Sequence, residues 1–72
     1  MKELINEEVI RLSEILGDIN ETTNRKKIAH DIALSVSKKF NIPLFQFGYE
    51  FGFILDDERL TYDINELIAL ND

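Results

Sequence analysis

The 72-residue chain has no cysteine, which excludes disulfides and thiolate metal sites and points to a cytoplasmic setting. It has one histidine, His30. Nucleophilic catalysis needs a nucleophile, a base and an orienting group that converge, and no serine or threonine has a partner at a suitable spacing. Long apolar runs are missing too. The longest, with glycine counted as apolar, covers residues 51–55, far short of the ~20 residues that span a membrane. No basic-then-apolar leader is expected. Gly48 and Gly52 sit among aromatics and a glutamate, without the Lys-Ser/Thr pair or following helix of a phosphate loop. Asp56-Asp57-Glu58 lacks the alternation, central glycine and distal glutamate of a calcium loop and reads as an acidic turn. These deficits leave no catalytic residue, cofactor site or metal site to name, and the chain reads as non-enzymatic.

Basic charge is scarce as well: the net charge is -6. Residues 1–23 carry Lys2 and Arg11 against six carboxylates. Residues 24–40 carry Arg25, Lys26, Lys27, Lys38 and Lys39 against Asp31 alone. Residues 41–72 carry Arg59 against seven carboxylates. Net acidity repels phosphate and makes direct nucleic-acid binding by the domain an unfavourable reading. A helix-turn-helix over 32–51 would leave its second helix without arginine or lysine to reach bases. Acidity favours solubility and a basic partner.

What is present is patterned. Apolar residues at 44% and charged residues at 31% fit a folded single domain over 1–72. Ile5, Val9, Leu12, Leu16 and Ile19 are spaced four, three, four, three, a helical stripe that Leu4 and Ile15 widen. This first helix is expected over 3–16, with Gly17 as its left-handed terminator. Glu3, Glu7, Glu14 and Asp18 fall on the opposite face with Ile10 and Arg11. Asp18-Ile19-Asn20-Glu21 is a capping-box pattern, though Thr22 and Thr23 move the start of the next helix towards Asn24. Ile28, Ile32, Val36 and Phe40 recur every fourth residue beside the small row Ala29, Ala33 and Ser37. Asn41 and Pro43 end this helix.

Residues 44–55 then hold five of the seven aromatics. Phe45, Phe47, Tyr49, Phe51, Phe53 and Leu55 occupy every second position. Period two predicts a strand with one aromatic face, which is expected to be core. Twelve extended residues would span about 40 Å, so a bend or break is expected at Gly48 or Gly52. Asp56 to Arg59 reads as a turn and Leu60 to Tyr62 as a return strand. Asp63-Ile64-Asn65-Glu66 opens a short last helix with a second capping box.

The expected fold is α+β: two N-terminal helices, an antiparallel β-hairpin and a short C-terminal helix. The like-charge pairs Glu3/Glu7 and Glu14/Asp18, four residues apart, cost helix stability rather than add to it. They fit a docking stripe, with Ile10 as its apolar contact. Glu50, Asp56, Asp57 and Glu58 complete the candidate partner-binding set. The leading reading is a small protein-binding module that occupies a basic surface of a larger protein, one that itself handles nucleic acid. In broad character it resembles the compact acidic inhibitors made by phages and other mobile elements, without sharing a motif with them. A homo-oligomer built on the hairpin edge or the small-residue face of the second helix is the alternative. A nucleic-acid binder using the basic second helix is a further one.

Overall fold

A twelve-residue strand would be longer than the whole domain, whose longest axis is 35 Å. The structure, a computed structural model, resolves this by breaking the strip. It describes residues 1–19 and 24–70. Helix α1 runs Lys2–Ile19 and helix α2 Arg25–Phe40. Three strands follow, β1 Leu44–Phe47, β2 Glu50–Ile54 and β3 Arg59–Asp63, and helix α3, Ile64–Leu70, closes the described chain. The strands form an antiparallel meander in the order β1-β2-β3. The expected α+β class and order of helices and strands hold, with three strands in place of two.

Local chemistry sets the helix ends. The Asn24 side chain accepts from the Lys26 N–H at 3.1 Å and starts α2 where the threonines placed it. Asn41 enters the left-handed region at φ 56°, and its N–H donates to the Ser37 carbonyl. Gly17 does not terminate α1, which continues to Ile19. An interior glycine costs about 1 kcal/mol against alanine. Burial of Ile5 and Val9, with Leu12 and Leu16 packed beside them, outweighs it. Asn20 and Glu21 of the Asp18–Glu21 pattern lie outside the described residues. The Asp63 carboxylate caps α3 by accepting from the Asn65 N–H at 2.8 Å.

The break in the strip is the Gly48-Tyr49 loop. Phe47 pairs with Glu50 across it, so the loop has two residues. Gly48 stands at φ +65° and Tyr49 has no positive φ, the pattern of a type II′ turn. Cross-strand partners share a face, and the register pairs Phe45 with Gly52 and Gln46 with Phe51. The aromatics therefore split. Phe51 and Phe53 point inward with Leu60 and Tyr62, and Phe45 and Phe47 point outward with Gly52 and Thr61. One aromatic face was expected, and two opposite ones are found. The residues between the aromatics do not form one surface either: Gln46 faces inward with Phe51, and Gly52 is buried on the outer face.

The helices cover the inner face only. Ile5, Val9, Ile28, Ile32, Val36, Phe51, Phe53 and Ile64 are fully buried there or nearly so. Phe51 stacks on Tyr62 at 5.5 Å and meets Phe53 edge-on at 6.2 Å, geometries worth about 0.5–1.5 kcal/mol each beyond burial. Ala29 and Ala33 are fully buried and Ser37 donates to the Ile42 carbonyl. The small-residue row thus packs inside the fold and is closed as an interface. Leu4 and Ile15 do not widen the core stripe, since they are 56% and 43% exposed. The core stripe of α1 is narrower, and Ser13, buried and bonded to the Ile10 carbonyl, lies at its margin.

One carboxylate ties α1 to α2. Glu8 accepts two bonds from Arg11 (3.0 and 2.7 Å) and pairs with Lys39 at 3.3 Å. The Arg11 hydrogen bonds lower its pKa from 4.5 to about 2, against an opposing effect of burial and with a lesser contribution from Lys39. A lowered carboxylate pKa stabilises the fold above pH ~4.5, and this contribution drains away as pH falls towards 2. Arg11 and Lys39 are both 56% exposed, so solvent screening limits the effect to about 1 kcal/mol. Glu8→Gln is expected to be less stable than wild type at pH 7 and indistinguishable from it near pH 2. Urea midpoints across that range read the gap, and a gap independent of pH would refute the bridge.

Candidate protein-binding surface

No described helix covers the outer face of the sheet. From the strand register it carries Phe45 and Phe47 from β1, Glu50, Gly52 and Ile54 from β2, and Arg59, Thr61 and Asp63 from β3. Phe47 is 74% exposed, Tyr49 at the turn 45% and Ile54 43%. The rings of Phe45 and Phe47 lie 6.1 Å apart. Gly52 leaves room for Phe45, since a Cβ there would stand 2.5 Å from the Phe45 Cζ. The Arg59 guanidinium lies 5.3 Å from the Phe45 ring centroid, and the Lys26 ammonium 5.4 Å from that of Tyr49. These contacts hold the rings in place at the edges while the Phe47 ring stays open. Large exposed aromatics of this kind supply most of the energy of protein interfaces.

The expected partner-binding residues fall into separate places. Glu3, Glu7, Ile10 and Glu14 line the exposed side of α1. Their three carboxylates have no ion-pair partner among the described residues. The side chain of Asp18 lies outside the described residues. Glu50 is exposed on the outer face of the sheet, beside the Gly48-Tyr49 turn. Asp56, Asp57 and Glu58 form the exposed β2–β3 turn, where Glu58 pairs with Lys2 at 3.6 Å. That ion pair brings the turn to the start of α1. The α1 stripe and Glu50 do not meet, because α1 packs on the inner face and Glu50 lies on the outer one.

Beside the acidic turn an open groove of about 570 Å³ runs between Met1, Pro43, Ile54 and Leu55. No serine, threonine, histidine or lysine lines it. His30 is exposed and shares a 3.3 Å hydrogen bond with Gln46, whose amide also donates to the Lys26 carbonyl. Among the described residues no group of His, Asp and Glu is placed to hold a metal, and no helix is long and apolar enough to cross a membrane. The basic residues of α2 are largely engaged. Arg25 donates to Asn65 at 2.6 Å, Lys39 pairs with Glu8 and Lys26 covers Tyr49. Lys27 and Lys38 have no such partner among the described residues, and Leu34 on the same helix is exposed.

Sequence reasoning missed Phe47, Tyr49 and Ile54 as surface residues. The signal for them was Gly48 at the first position of a two-residue hairpin loop. No protein-family model, curated protein or solved structure matches the chain.

Proposed function

We propose that this chain is a non-enzymatic protein-binding module that docks its open sheet face on a larger protein with a basic surface. Phe47 is the anchor, Phe45 lies beside it, Ile54 extends the apolar face towards the other end of the sheet, Tyr49 flanks the anchor at the turn, and Glu50 and the Asp56–Glu58 turn supply acidic groups at the two ends. The observation that carries this reading is the 74% exposure of Phe47 on a face that no described helix covers. An aromatic centre with a charged rim is the anatomy of a specific interface. The unpaired carboxylates of α1 add to a net charge of -6 that steers the domain towards positive surfaces and away from phosphate. A protein whose basic surface handles nucleic acid is the natural target, and the module acts there as an inhibitor or modulator, as compact acidic proteins of phages and mobile elements do.

The test is to isolate the partner by affinity capture from the native host and measure the purified pair. Phe47→Ala is expected to weaken binding by at least ~2 kcal/mol, read mostly as faster dissociation. The double substitution E7K/E14K is expected to slow association and flatten its salt dependence, without a comparable change in dissociation. Wild-type affinity in Phe47→Ala would place the contact elsewhere. Loss of binding in E7K/E14K alone would move it to α1.

A further inference from the structure

The open edge of β3 is built to pair with itself. Antiparallel ladders alternate residues that bond to the neighbouring strand with residues whose N–H and C=O point away from it. The Leu55 N–H donates to the Glu58 carbonyl at 2.8 Å, and the Ile64 N–H donates to the Tyr49 carbonyl at 3.0 Å. These two bonds fix the phase. Phe53 with Leu60 and Phe51 with Tyr62 are the bonded pairs between them. The backbone groups of Arg59, Thr61 and Asp63 therefore face off the sheet.

The two sheet edges are guarded differently. Strand β1 has four residues, follows Pro43, and its Gln46 is tied to α2 through the Lys26 carbonyl. Such features blunt an edge. Strand β3 has five residues in unbroken register, with no proline, lysine or bulge, and Arg59 and Thr61 are exposed.

We infer that a second copy of this chain occupies this edge, pairing β3 with β3 about a two-fold axis at Thr61. Charge complementarity selects this occupant. Rotating Arg59-Leu60-Thr61-Tyr62-Asp63 by half a turn sets Arg59 opposite Asp63 of the other copy, twice over, on the outer face. On the inner face Leu60 meets Tyr62, and on the outer face Thr61 meets Thr61, a β-branched cross-strand pair. One carboxylate oxygen of Asp63 caps α3 and the other has no partner among the described residues. A foreign strand would need the same charge spacing, whereas a second copy supplies it by symmetry. The result is a continuous six-stranded sheet, whose outer face presents both copies of the aromatic surface side by side. This inference is independent of the proposed partner, and either can fail alone.

The absence of cysteine makes the test direct. In the full chain, Thr61→Cys carries a single thiol. Bonded antiparallel partners stand about 5.5 Å apart at Cα with their side chains on one face, within reach of a short bifunctional maleimide. Thr61→Cys is expected to form a covalent dimer with a short bis-maleimide much faster than Ser35→Cys, an exposed control on α2. Sedimentation equilibrium of the wild type is expected to show a monomer–dimer equilibrium below about 1 mM. Arg59→Asp is expected to weaken it by roughly tenfold or more, since it sets like charges opposite Asp63 twice. Thr61→Pro removes an N–H that the sheet does not use and is expected to leave a folded monomer, with circular dichroism as the check on fold. A wild type that stays monomeric to about 1 mM overturns the inference. So does a dimer that tolerates Arg59→Asp, or a Thr61→Cys thiol that couples no faster than the control.

Discussion

Gly52→Ala is expected to cost at least ~3 kcal/mol. A Cβ at this position falls inside the van der Waals surface of the Leu60 carbonyl oxygen and stands 2.5 Å from the Phe45 Cζ. The Phe45 ring is the end of a side chain and can swing aside. The Leu60 oxygen cannot, because it belongs to the backbone of the paired strand β3. Relief therefore requires β2 and β3 to separate where the core residues Phe51 and Phe53 are anchored. A domain of this length has a total stability of only about 4–11 kcal/mol, so the loss is a large fraction of it. Urea unfolding gives the measurement. A Gly52→Ala protein within about 1 kcal/mol of wild type would contradict the close approach of the two strands.

The second large effect separates two phenylalanines of the same strip. Phe51→Ala is expected to destabilise the domain by about 3–5 kcal/mol, since it deletes a fully buried ring from its stack with Tyr62. Phe47→Ala is expected to change stability by no more than about 0.5 kcal/mol, because its ring faces solvent. Denaturant melts of the two variants side by side test the hairpin directly. A single strand with all its aromatics inside predicts comparable losses from both. The hairpin predicts one severe loss and one near-neutral change.

That contrast shows where the sequence was legible. Asn24, Asn41 and Asp63 act on backbone groups within a few residues, so the ends of α2 and the start of α3 could be read locally. The order of helices and strands followed from periods of 3.6 and 2. The faces of residues 44–55 did not. A two-residue loop pairs Phe47 with Glu50 and so sets odd positions of one strand against even positions of the next. The alternation of aromatics continues unbroken through Gly48 and Tyr49 while the face it occupies inverts. Only the excess length of the strip and the glycine betray the turn. The candidate carboxylates were legible as exposed groups, and those with described side chains are exposed. Their division between α1 and the two ends of the sheet depends on packing. The Glu8–Lys39 pair is likewise invisible to local reasoning, because its partners meet only when α1 docks on α2.

The meander distributes the cost of chain closure unevenly. Both of its turns close over two residues, so the sheet assembles with little loop entropy. Helix α1 closes the longest path, since Asn6 on α1 accepts from the Tyr62 hydroxyl 56 residues away. By the logarithmic law, closing that path costs about 3 kcal/mol more than closing a two-residue turn. Ile5, Val9 and the Glu8 bridge are what hold α1 against it. The domain's narrowest margin therefore lies with its first helix, and the acid titration of Glu8 reads that margin.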